Sequence, residues 1–157
     1  MKKGLSYIVA SALFLSGILV PVHAIGDKKG KGISSITPYL SNSGFSGGLI
    51  PKKVFDSLIK QGITARDSSG MTYKVVEFTF GYGERNIYED SVGRPTILTD
   101  YFSEICHGDT LSTTFKNFIF KDNRSKHGDT VYFDKIRVAL PEGGTIITKS
   151  TRFVLTK

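Results

Sequence analysis

A mainly β domain, a sandwich or barrel with one short helix near its start, is the fold class this sequence predicts. Three observations predict it. Apolar and polar residues alternate with period two along much of the chain after Thr72. Polar, glycine-containing turns separate these runs roughly every 8–12 residues. Only one segment has helical spacing. The composition is that of a globular protein: 157 residues, 39% apolar, 22% charged, with 17 Gly and 5 Pro. A single Cys excludes an intramolecular disulfide framework, and one Cys with three His argues against a structural zinc site.

The chain opens on an address. Lys2 and Lys3 precede a nearly unbroken apolar stretch from Leu5 to Val20, Pro21 breaks it, and Val22-His23-Ala24 follows. That is the layout of a cleavable signal peptide over residues 1–24, cut after Ala24. The apolar stretch sits at the lower edge of membrane-spanning length, so an uncleaved anchor is the rival reading. Pro21 and the Ala24 site favour cleavage. No Cys follows the stretch, which excludes lipid attachment there. The mature chain is expected to be periplasmic or secreted, with no transmembrane anchor.

Residues 25–45 read as a basic, Gly/Ser-rich leader, with Asp27-Lys28-Lys29-Gly30-Lys31-Gly32 at its start and room for a short strand in Ile33–Leu40, broken by Pro38. Pro51–Lys60 is the predicted helix. Pro51 suits its first position. Val54, Phe55, Leu58 and Ile59 form one apolar face, Lys52, Lys53, Asp56, Ser57 and Lys60 the other, and Gly62 is placed to end it. Helices this short are unstable alone, so the apolar face must dock on the sheet. From Thr72 the period is two, with Tyr73 and Val75 on one face and Val76, Phe78 and Phe80 on the other. That change of phase predicts a bulge, or a strand buried on both faces. Gly81-Tyr82-Gly83 reads as a turn. Ile87-Tyr88, Thr96–Thr99, Leu111–Phe120, Val131–Leu140, Thr145–Thr148 and Thr151–Thr156 read as strands. In Val131–Leu140, Tyr132, Asp134, Ile136, Val138 and Leu140 are set against Val131, Phe133, Lys135 and Arg137. Glu142-Gly143-Gly144 is a hairpin turn.

His107-Gly108-Asp109-Thr110 recurs unchanged as His127-Gly128-Asp129-Thr130. A metal reading would use both His and both Asp as ligands. Turn geometry ahead of a strand explains the repeat more simply. Cys106, in an apolar run, reads as a buried inert thiol. No Gly-x-Ser-x-Gly elbow or phosphate-cradling glycine loop is present. Cys106 and His107 cannot pair as nucleophile and base, because neighbours on a strand point to opposite faces. No catalytic residue, metal or cofactor is expected. Lys and Arg are not interleaved with aromatics as a nucleic-acid interface requires.

Several stretches carry a resemblance. They are Gly47-Gly48-Leu49-Ile50-Pro51-Lys52-Lys53, Gly62-Ile63-Thr64-Ala65, Tyr73–Phe78, Gly128-Asp129-Thr130-Val131-Tyr132-Phe133-Asp134-Lys135-Ile136-Arg137-Val138, Pro141-Glu142-Gly143-Gly144 and Arg152–Thr156. In this order they resemble the C-terminal periplasmic domain of the gliding-motility protein GldM (PorM in non-gliding relatives), of the type IX secretion system of Bacteroidota. The resemblance covers residues 46–157. It implies an antiparallel, immunoglobulin-like β-sandwich with one short N-terminal helix, acting as a non-catalytic protein–protein adaptor in the cell envelope. In that family a transmembrane helix and further periplasmic domains come first. A cleaved leader and one domain leave the adaptor role without the motor.

Envelope proteins are therefore the expected partners, with a homodimer as one arrangement. The alternative is a secreted sandwich that binds a small ligand such as a glycan or peptide. An exposed cluster of Tyr82, Tyr88 and Tyr101 would favour it. Net charge is +7, and its distribution is uneven. Residues 25–66 hold seven basic and two acidic side chains, whereas residues 67–157 hold twelve of each sign. An anionic partner is expected to meet Lys28, Lys29, Lys31, Lys52, Lys53 and Lys60.

Overall fold

The longest strands follow one another. β5 (Val75–Glu89) and β6 (Pro95–His107) form an antiparallel hairpin in register from Glu77↔His107 to Glu89↔Pro95. The computed structural model describes residues 36–157. Around that hairpin the remaining elements are β1 (Thr37–Leu40), β2 (Gly48–Pro51), α1 (Lys52–Ile59), β3 (Ile63–Arg66), β4 (Thr72–Tyr73), α2 (Thr113–Lys116) with a π-helical turn over Asn117–Lys121, β7 (Thr130–Ala139), β8 (Thr145–Ile147) and β9 (Thr151–Thr156). The fold is mainly β, with two sheets. One sheet has the order β1-β3-β4 and the other β2-β9-β7-β5-β6, with β8 on β7. All pairs are antiparallel except β2 with β9, which run parallel. The signal segment, Ala24 and Lys28, Lys29 and Lys31 lie outside the described residues. Thr37–Leu40, within the predicted leader, pairs with β3.

The helix forms where its apolar spacing predicts, with Pro51 as its N-cap. Phe55 and Ile59 are buried and Val54 and Leu58 pack against the same core. Gly62 follows with φ +89°, and a Cβ there would lie 2.5 Å from the Asp109 carbonyl oxygen. One core takes residues from both sheets and both helices: Leu40, Phe55, Ile63, Phe78, Phe80, Phe115, Ile119, Phe133, Ile136 and Phe153 among them.

Three sequence expectations are corrected. Leu111–Phe120 is not a strand: Ser112 caps α2, its hydroxyl accepting the Phe115 N–H, and Leu111, Phe115 and Ile119 turn inward one helical turn apart. Gly81-Tyr82-Gly83 is no turn but mid-strand β5, with Tyr82 fully buried. The faces of β5 and β7 also change phase. Register shifts fall between Val75 and Glu77 and between Glu77 and Thr79, as the predicted bulge requires. Val75 is therefore buried with Phe78 and Phe80, while Val76 is exposed. On β7, Lys135 takes φ +50°, so Ile136 and Val138 join Val131 and Phe133 inside. An extra residue on each strand keeps both apolar rows on the core side.

Candidate interaction surfaces

Beyond the Gly83↔Thr130 pair, β5 loses β7 and continues with β6 as its sole strand partner among the described residues. From Glu84 to Asp100 the hairpin is thus a two-stranded arm. Ile87, Val92, Ile97 and Leu98 are each more than half exposed on it, and Ile87 pairs directly with Ile97. A free hairpin is marginal in water, and polar clamps hold this one. At the tip, the Asp90 carboxylate accepts the Val92 and Arg94 N–H groups, both at 2.9 Å, and the Arg94 Nε–H at 2.8 Å. Gly93 takes φ +78° there. Halfway down, Asp100 accepts Asn86 Nδ2–H at 2.9 Å and the Tyr88 hydroxyl at 2.8 Å.

These bonds hold both carboxyls below their ordinary values: backbone N–H groups of Arg94 and Val92 at Asp90, and the Asn86 and Tyr88 side chains at Asp100. A depressed carboxyl stabilises the fold above its unfolded pKa, about 3.9, and that contribution is lost as pH falls through the folded value. Acidification is expected to open the arm first. Hydrogen exchange followed downward from pH 5 should show Val92 and Arg94 losing protection before Val131 and Phe133; simultaneous loss would contradict this.

The arm's base is locked by a buried polar cluster. Asp129 is fully buried. Its Oδ2 accepts the Tyr82 hydroxyl and the Lys126 N–H at 2.7 Å, and its Oδ1 accepts the Arg85 N–H at 2.9 Å. Burial, and next the bond to this carboxylate, push the Tyr82 phenol well above its usual range. Glu84, also buried, meets Arg124 at 2.6 Å and Lys126 at 3.2 Å. Arg124 lies over the ring of Phe118.

The repeated tetrapeptides therefore do different things. Both glycines take positive φ, as turns require. Asp129 is buried as described, whereas Asp109 is exposed and contributes its backbone carbonyl to Ile63 N–H at 2.8 Å. His107 reaches Glu77 at 3.3 Å and His127 the Thr156 carbonyl at 2.9 Å. Among the described residues, no three His, Cys, Asp or Glu side chains are placed to hold a metal ion. Cys106 is buried, accepts the Ser112 N–H at 3.3 Å, and has its thiol pushed up by burial.

Two concavities stand out among the described residues. On the outer face of the large sheet, Gly81 floors a shallow groove of about 360 Å³ walled by Tyr101 and Tyr132, with Ser103 and Asp134 beside them. A Cβ on Gly81 would lie 3.3 Å from Tyr132, and one on Gly83 3.2 Å from the Tyr101 ring. The glycines are there for the rings, a signal the sequence gives only as two Gly flanking a Tyr. Tyr88 lies on the arm and Tyr82 in the core, so the three tyrosines named from sequence do not cluster.

The second concavity is a cleft of about 950 Å³. Pro51, Lys52, Lys53 and Val54 line it from the start of α1, together with Asn123, Ser125, Lys126, His127 and Lys157. Of the lysines named from sequence, Lys52 and Lys53 reach this cleft, while Lys60 lies over Phe120. Lys126 and Lys157 were not expected there. Among the described residues no helix is long and apolar enough to cross a membrane. No protein-family model matches the chain, and no curated protein matches it.

Proposed function

We propose that this protein is an exported, non-catalytic interaction module of the bacterial cell envelope, an adaptor similar to the terminal domain of the gliding-motility and type IX secretion stalk protein GldM. The two sheets on one core are read as an immunoglobulin-like sandwich with β2 as a parallel addition. One observation carries the proposal: the β5–β6 arm keeps Ile87, Val92, Ile97 and Leu98 in solvent on a clamped, two-stranded support. Apolar side chains held out on a rigid element are the anchors a protein partner buries.

The test is capture from envelope extract. Wild-type protein is expected to recover a discrete partner. The triple variant Ile87→Ser, Ile97→Ser, Leu98→Ser should recover at least ~10-fold less, with a melting temperature within a few degrees because the residues are exposed. Repeated failure of the wild type to recover any partner, or equal recovery by the variant, overturns the proposal. The glycine-floored tyrosine groove supports a second reading, a glycan or peptide ligand seated on Tyr101 and Tyr132. Under that reading Tyr101→Ala, not the arm variant, abolishes capture.

A further inference from the structure

We infer that the cleft at the start of α1 is a binding site for a phosphate group. Three features converge there, none of them part of the arm. The first is the helix N-terminus. Pro51 provides no side-chain cap and no acidic residue lies in the first turn. The opening N–H groups and the positive end of the helix dipole are left to an anion. The second is charge. Among the described residues, no Asp or Glu side chain lines the cleft. Lys52 is already committed to Asp56 at 2.5 Å and Lys126 to Glu84 and Asn86, but Lys53 and Lys157 make no ion pair among the described residues. The third is Ser125. It lines the cleft at only 4% exposure, and its hydroxyl has no hydrogen-bond partner among the described residues. A buried hydroxyl without a partner costs free energy that a ligand acceptor would recover.

These donors suit a phosphate better than a carboxylate. Two uncommitted ammonium groups and a helix N-terminus match a charge of about −1.5 to −2. Donors also come from both sides of the cleft, from α1 and from the Ser125–His127 loop, which suits a tetrahedral group with several oxygens. The cleft is larger than a phosphate ion, within the range of small-ligand sites, so it has room for the group that bears the phosphate. That group is either a soluble ester or a lipid head group.

Isotope-labelled protein titrated at constant ionic strength with inorganic phosphate and with glycerol 3-phosphate tests the site. Saturable amide shifts are expected at Lys53, Val54 and Ser125–Gly128. The double variant Lys53→Gln, Lys157→Gln should weaken binding at least ~5-fold. Ser125→Ala should weaken it while leaving the melting temperature unchanged or higher, since it removes an unsatisfied buried atom; a purely structural serine would not couple to phosphate. Sedimentation with vesicles containing phosphatidic acid, a phosphate monoester like glycerol 3-phosphate, separates the sources. Pelleting that the double variant loses and glycerol 3-phosphate competes assigns the lipid. Saturable binding of the soluble ester without pelleting assigns the ester. Shifts that never saturate, that spread over every exposed lysine, or that persist unchanged in both variants overturn the inference.

Discussion

Asp129→Ala is expected to lower stability by about 4 kcal/mol, while Asp109→Ala, the same substitution in the same tetrapeptide, should cost no more than about 0.5 kcal/mol. The difference follows from place. Asp129 is fully buried and accepts three donors, the Tyr82 hydroxyl and the N–H groups of Arg85 and Lys126. Alanine would strand all three. Among the described residues, the one hydrogen bond that ties Asp109 to the fold is its backbone carbonyl's, to Ile63 N–H, and it survives the change. Urea unfolding of the two variants side by side is the measurement. Asp129→Asn is expected to fall between them, because its amide nitrogen would face a donor in place of one acceptor oxygen. Equal midpoints for Asp129→Ala and Asp109→Ala would show that the carboxylate does not hold the cluster.

This pair also shows where sequence reading stops. Two identical His-Gly-Asp-Thr stretches predict two similar turns, and both glycines do take positive φ. Nothing local says that one Asp meets a tyrosine 47 positions away. Long-range partners decide the chemistry of short motifs. The Leu111–Phe120 segment fails for a different reason. Residues four apart share a face in a strand and nearly share one in a helix, so Leu111, Phe115 and Ile119 satisfy both periods. Ser112, three positions before Phe115, was the signal that separates them, since its hydroxyl accepts the Phe115 N–H. The short helix α1 was legible because its four apolar residues fit only the helical period.

The surfaces were less legible than the fold. An arm arises when a hairpin outruns its neighbours, and relative strand length is a property of the whole sheet. Ile87 and Ile97 look like ordinary core positions until β7 stops at Thr130. The cleft draws on residues from three separate parts of the chain. Counting charge by segment assigns the excess to the first third, yet folding carries Lys126 and Lys157 from the neutral part to the start of α1. A segment with no net charge can still contribute an uncommitted cation there: Glu84 takes up Lys126 at 3.2 Å, while Lys157 has no ion pair among the described residues.

Phe133→Ala is expected to be as damaging as the loss of Asp129, at about 4 kcal/mol, by a purely apolar route. Phe133 is fully buried at the centre of β7. Its ring lies 5.2 Å from Phe80, 5.7 Å from Phe78 and 6.1 Å from Phe153, the first and last nearly edge-on. Truncation would remove the shared neighbour of two flanking strands, β5 and β9, and leave a cavity between rings too rigid to collapse into it. For a domain of this size the melting temperature should fall by roughly 15 °C. Phe133→Leu keeps most of the volume and should cost less than half as much. Tyr101→Ala on the outer face, where the ring is 69% exposed, should shift stability by no more than about 0.5 kcal/mol. Thermal unfolding of the three variants orders them. If Phe133→Ala and Tyr101→Ala unfolded together, the core could not be centred on β7. A Phe133→Ala protein that kept its midpoint but changed its urea slope would instead point to an altered unfolded state.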